Sequence, residues 1–212
     1  MLRAETRLFQ PTMQTHYKHS TRRLTSLLQN VILILYNYFR EDAPMNAEQY
    51  RAVIGWFNAR PAAKKALRLV SRSAVALVYL LYLGMLAWLA WHRMGQLWPA
   101  LVVPASAFVV GTLVRKLIDR PRPYTALGFT PLFPKDKTGQ SMPSRHCFSA
   151  AAIAGTAWYV LPPLGAVLAV LGVLIAISRV VTGVHYISDV LAGLALSLIH
   201  ISEPTRPEPI SY

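Results

Sequence analysis

Between residues 115 and 189 the chain gathers side chains suited to handling phosphate. Arg115, Arg120 and Arg122 occupy one short run that ends Arg120-Pro121-Arg122-Pro123. Ser144, Arg145 and His146 follow Pro143. Ser178-Arg179 is followed after five residues by His185 and after three more by Asp189. Guanidiniums held together repel unless an anion joins them, and their planar forks match phosphate oxygens. His185 and Asp189, four apart, share one face of a helix. Asp189 can take the proton of one imidazole nitrogen and leave the other as a nucleophile. His146, with an ordinary pKa of ~6.5, can donate or remove a proton. Ser144 stands where it can cap a helix start, and such a start offers N–H groups and a positive dipole end to an anion.

Each feature also has an ordinary reading. The run 115–123 suits a basic loop resting on lipid headgroups. A His-x-x-x-Asp pair is often a plain helix-surface contact. His146, His185 and Asp189 are metal-ligand types, but the arginines beside them oppose a divalent cation. Cys147, the single cysteine, excludes an intramolecular disulfide and a cysteine-rich zinc site, and reads as a small residue at a helix start.

The elements that must position these residues are apolar. Hydrophobic residues make up 54% of the 212-residue chain and charged residues 15%, against ~25% charged in soluble domains. The formal charge is +13. A basic, apolar chain suits a membrane protein that handles anions and argues against a nucleic-acid binder. Ser73–Trp91 and Met94–Val114 carry no charge over 19 and 21 residues, and a span needs ~20. Cys147–Ser178 is charge-free for 32 residues, too long for one helix, and Pro162-Pro163 predicts a hairpin there. A last apolar helix starts near Tyr186. The expected fold is therefore all-α, an integral membrane bundle of about five spanning helices with an amphipathic N-terminal helix. In that topology the three polar clusters fall on one membrane face.

The amphipathic element is expected across residues 45–72, broken near Pro61, with Arg51, Arg60, Lys64, Lys65, Arg68 and Arg72 among apolar residues. Residues 1–44 read as an N-terminal extension, with 24–39 a short interfacial helix or marginal span. Residues 45–198 read as the membrane domain and 199–212 as a polar tail. The stretch Leu198-Ile199-His200-Ile201-Ser202-Glu203-Pro204-Thr205-Arg206-Pro207 resembles a translated sequencing adapter, so the tail is expected to be foreign to the natural chain. No signal-peptide pattern and no internal repeat is seen.

Together the clusters resemble the type-2 phosphatidic acid phosphatase superfamily, whose pattern is K-x6-R-P, P-S-G-H and S-R-x5-H-x3-D. The third motif is complete in Ser178, Arg179, His185 and Asp189. The second reads P-S-R-H, and Arg145 stands at its glycine. The first keeps Arg122-Pro123, but Arg115 stands at the lysine position, with Lys116 one residue later. The resemblance covers roughly residues 50–198. It implies a phosphatase in which His185 is the nucleophile, Asp189 orients it and His146 is the acid and base. It implies phosphate binding by Arg115, Arg122, Ser144, Arg145 and Arg179, with no metal and no cofactor. The implied partners are membrane lipids and a lipid phosphate or pyrophosphate; candidates are undecaprenyl pyrophosphate, phosphatidic acid, phosphatidylglycerol phosphate and lipid A phosphate. The alternative is a non-catalytic membrane protein that binds anionic headgroups. Taken literally, the positive-inside rule puts the site in the cytoplasm. Similarity to bacterial cell-membrane members that recycle polyprenyl carriers favours the extracytoplasmic face. Oligomeric state is not legible.

Overall fold

The computed structural model describes residues 45–202, and these are all-helical with turns and loops between helices. Residues 1–44 and 203–212 fall outside the described residues, and with them the expectations for 24–39 and for most of the tail. Helix α1 is Ala47–Asn58. Asn46 and Gln49 exchange side-chain-to-backbone bonds of 2.9 Å each at its start, a capping box. Pro61, lacking the N–H that a first turn leaves unused anyway, opens α2, Pro61–His92. Helix α3 is Met94–Ile118, and Asp119 in the left-handed region ends it. A short α4, Pro123–Ala126, follows. After a long loop come α5 (Arg145–Val160), α6 (Pro162–Val181) and α7 (Ile187–Ser202).

The expected break at Pro162-Pro163 is there: Leu161 alone separates α5 from α6. The region 45–72 differs from expectation. The break near Pro61 is there as expected, but residues 61–72 form the first turns of the 32-residue helix α2 and do not end as an interfacial element. No proline follows Pro61 within that helix, so the backbone ladder runs unbroken into the first apolar run. Nor does α1 merely rest on a lipid surface. Tyr50 and Ile54 are buried, and Tyr50 stacks on Phe129 at 5.1 Å between ring centroids.

Helices α2 and α6, and the stretch Met94–Ala126 that begins with α3, are long and apolar enough to cross a membrane. Helices α5 and α7 have 16 residues each. Helix α5 is central and touches α2, α3, α6 and α7. Its alanines allow this. Ala150, Ala154 and Ala157 pack with Ala74, Val78, Leu168 and Ile175 in the buried cluster, and small residues let apolar helices approach closely. The outer surface is apolar, with Leu80, Leu83, Leu101, Val170 and Ile177 exposed. Buried positions include Arg115, Arg120, Arg122, Ser141, Ser144, His185 and Asp189. Apolar groups outside and polar groups within define an integral membrane helical bundle.

Candidate active site

The loop after α3 folds back on itself and assembles one polar end of the bundle. Asp119 Oδ1 accepts from the backbone N–H of Gln140 at 3.1 Å. The Arg122 backbone N–H donates to Thr138 O at 3.0 Å, and its Nε to Gly139 O at 3.1 Å. The Tyr124 hydroxyl donates to Lys137 O. The Ser141 N–H donates to Arg120 O at 2.8 Å, and the Ser144 N–H to Asp189 O at 2.9 Å. These bonds bring the clusters at 115–123, 141–146 and 178–189 onto one face. The turn from α6 to α7 passes through Gly183 at φ +73°, where a Cβ would also lie 2.7 Å from the Phe129 ring, so only glycine fits. The Tyr50 hydroxyl of α1 donates to His185 O at 3.3 Å and braces this turn.

His185 and Asp189 meet as their spacing predicts. His185 Nδ1 lies 3.3 Å from Asp189 Oδ2, and the two residues are 2% and 0% exposed. Engagement of Nδ1 leaves Nε2 as the nitrogen available to a substrate. Burial pushes the His185 imidazole below its ordinary pKa of 6.5, against the opposing pull of Asp189. The neutral, nucleophilic form is thereby favoured at neutral pH.

Asp189 has more partners than the sequence disclosed. Ser141 Oγ donates to its Oδ2 at 2.5 Å and also lies 3.4 Å from His185 Nδ1. The Tyr186 N–H donates to the same oxygen at 2.9 Å. Arg120 Nη1 pairs with Oδ1 at 2.9 Å and donates to Ser188 Oγ at 2.8 Å. Neither Arg120 nor Ser141 was picked out among the expected site residues. Arg120 looked like one more cation of its run, and Ser141 lies outside every motif.

The five expected phosphate ligands fare differently. Arg115 is buried and donates from Nη1 to Pro143 O at 3.2 Å, whereas Lys116 is exposed. Arg122 is buried beside it. Arg179 reaches Ser71 Oγ of α2 with Nη2 at 3.4 Å, and its buried Nε has no partner among the described residues. Arg145 is exposed at the first position of α5. Ser144 precedes α5 as expected, but its side chain does not cap the helix. The hydroxyl is buried with the Cys147 thiol as its neighbour, while its carbonyl accepts the Cys147 and Phe148 N–H groups. A thiol is a weak partner for a buried hydroxyl, and a phosphate oxygen is a stronger one. Ser178, from the third motif, is structural: its Oγ donates to Ile175 O at 2.7 Å and lies 3.1 Å from Ser71 Oγ.

His146 is half-buried in the first turn of α5. It also lines a narrow, nearly filled seam between α2, α5 and α6. Val75, Val78 and Tyr79 form one wall; Ser149, Ala150 and Ile153 form another, with Ile175 beside them. Among the described residues no three His, Cys, Asp or Glu side chains cluster as a metal cage would require.

The fold and the site thus define a helical membrane protein with an arginine-lined His-Asp pair at one end of its bundle. The sequence profile of the PAP2 superfamily matches residues 96–202, half of the chain, and the chain belongs to that superfamily. No curated protein matches the sequence. Among solved structures it is similar to the transmembrane PAP2-type phosphatidylglycerolphosphate phosphatase of Bacillus subtilis, with 22% identity and a TM-score of 0.58. That match covers 88% of this chain and 98% of the other. It is likewise similar to LpxE of Aquifex aeolicus, with 24% identity, a TM-score of 0.59, and 76% and 95% coverage. At these identities the likeness concerns the fold.

Proposed function

We propose that the protein is a membrane phosphatase that hydrolyses a lipid phosphate or pyrophosphate through a phosphohistidine on His185. The observation that carries this is the His185–Asp189 pair, 3.3 Å apart and buried, with Arg115 and Arg122 acting on the His185 ring and the Arg179 carbonyl accepting its backbone N–H. His185 Nε2 attacks phosphorus as the bond to the leaving oxygen breaks, and His146 protonates that oxygen. His146 then takes a proton from water, whose oxygen attacks phosphorus and releases His185 and inorganic phosphate. Arg115, Arg122, Arg179, the Ser144 hydroxyl and the outward-facing Arg145 neutralise the phosphate oxygens in both steps. The apolar membrane-spanning helices that carry the site favour a substrate with a lipid tail. Undecaprenyl pyrophosphate, phosphatidic acid, phosphatidylglycerol phosphate and lipid A phosphate all fit that description.

Release of inorganic phosphate from a panel of these lipids, in membranes and in excess EDTA, tests the reading. Turnover is expected to survive chelation, because guanidiniums already neutralise the phosphate. Long-chain substrates are expected to outrun short soluble phosphate esters. Loss of turnover in EDTA with recovery on adding magnesium contradicts the mechanism. A protein that binds these lipids and releases no phosphate from any of them favours the non-catalytic alternative.

We infer an extracytoplasmic site, which the resemblance to bacterial members that recycle polyprenyl carriers supports. Thr138 in the site loop is exposed and Cys147 is buried. A Thr138→Cys, Cys147→Ser variant is expected to react with an impermeant thiol reagent in intact cells. Reaction only after permeabilisation puts the site in the cytoplasm.

A further inference from the structure

We propose that Arg120 is a positioning residue, which holds the Asp189 carboxylate ionised and turned toward His185, and is not a ligand of the substrate phosphate. The inference rests on reading His185–Asp189 as the catalytic pair. Arg120 and Arg122 flank Pro121 in one run, and their types do not tell them apart. Their surroundings do. Arg122 Nε is bonded to the loop carbonyl of Gly139. Arg120 is 4% exposed, its guanidinium lies 4.2 Å from the Tyr186 ring centroid, and Nη1 is shared between Asp189 Oδ1 at 2.9 Å and Ser188 Oγ at 2.8 Å. Its charge is thus already matched by a carboxylate.

The carboxylate depends on that match. Asp189 is fully buried, and a buried carboxylate without a cation tends to take up a proton. A protonated Asp189 would accept weakly from His185 Nδ1 and hold the ring poorly. With Arg120 on Oδ1, and with Ser141, the Tyr186 N–H and His185 on Oδ2, both oxygens are fixed. The other titratable groups acting on this carboxylate are Arg115 of α3, Arg122 just before α4, Tyr50 of α1 and Cys147 of α5. Arg115 and Arg122 add positive charge, and neither shows an ion pair with Asp189 among the described residues.

The test is the kinetics of phosphate release by Arg120→Met, Arg120→Lys, Asp189→Asn and the Arg120→Met, Asp189→Asn double variant, each in membranes beside the unaltered protein. Arg120→Met is expected to lower kcat about 10³- to 10⁴-fold, the scale on which an orienting carboxylate acts, with KM changed less than about threefold. Its acidic limb in kcat should move to higher pH, as Asp189 protonates more readily. Arg120→Lys keeps the cation and should stay within about tenfold of the unaltered protein. The double variant should match Asp189→Asn, because two residues acting through one another are not additive. A rise in KM with kcat preserved in Arg120→Met makes Arg120 a phosphate ligand and overturns the proposal. So does a double variant whose loss is the product of the two single losses. Should Arg120→Met fail to accumulate, the double variant leaves no unpaired buried charge, and its comparison with Asp189→Asn decides. Absence of turnover in the unaltered protein counts against the phosphatase reading itself, not against the role of Arg120 within it.

Discussion

Alanine at His185 is expected to abolish phosphate release, a loss on the order of 10⁴- to 10⁶-fold, as when a nucleophile is cut from a unit that acts together. The rest of the site should survive. Asp189 keeps Arg120, Ser141 and the Tyr186 N–H as partners, so the substitution leaves no orphaned buried charge. Arg115, Arg122 and Arg179 remain in place to hold an anion. Binding of inorganic phosphate to the purified variant should therefore stay measurable while turnover falls to that of membranes carrying an empty vector. Substantial release by the variant removes His185 from the role of nucleophile. Loss of both binding and turnover would mean that the change had disturbed the fold.

Valine at Gly165 should have the largest effect on the fold. A Cβ there would lie 2.5 Å from the Trp158 Cα and 2.6 Å from its backbone nitrogen. Backbone atoms cannot rotate away as a side chain can. With Leu161 alone joining α5 to α6, the two helices cannot slide apart locally. Overpacking commonly costs about 1–3 kcal/mol, and contact with a rigid backbone belongs at or above the top of that range. That is a large part of the stability of an ordinary domain. Helix α6 supplies its own control. A Cβ at Gly172 meets Ala150 Cβ at 3.7 Å, an ordinary contact, so Gly172→Ala should be tolerated. Monodisperse yield from detergent-solubilised membranes distinguishes the two. Equal yields would mean that α5 and α6 do not cross as closely as described.

The spans were legible because the membrane imposes a strong one-dimensional rule. A helix that faces lipid must be apolar for about 20 residues, and a proline pair within a longer run must break it. The hairpin between α5 and α6 could be read on that basis, and so could the meeting of the three polar clusters on one face. The His185–Asp189 pair was legible for a similar reason, since four residues along a helix return to the same side. Local rules failed at three places. Residues 61–72 look amphipathic, yet they continue into α2, because nothing after Pro61 interrupts the helix. Ser144 looks like a cap, and it holds the cap position, but its hydroxyl makes no capping bond. The run 45–58 looks like a lipid-surface helix, whereas Tyr50 and Ile54 are buried against the site turn.

By itself, then, the sequence determined that this is a helical membrane protein, which residue types gather at one end of it, and which histidine has a carboxylate one turn away. These follow from composition and from contacts along the chain. Only the tertiary structure decided what each arginine faces. Residues 115, 120 and 122 carry the same group within one short run, but Arg115 braces Pro143, Arg120 pairs with Asp189 and Arg122 ties down Gly139. Ser141 likewise reaches Asp189 across 48 positions of chain. The physical reason is that a buried charge is defined by the partner that compensates it, and here that partner comes from a distant segment of the chain.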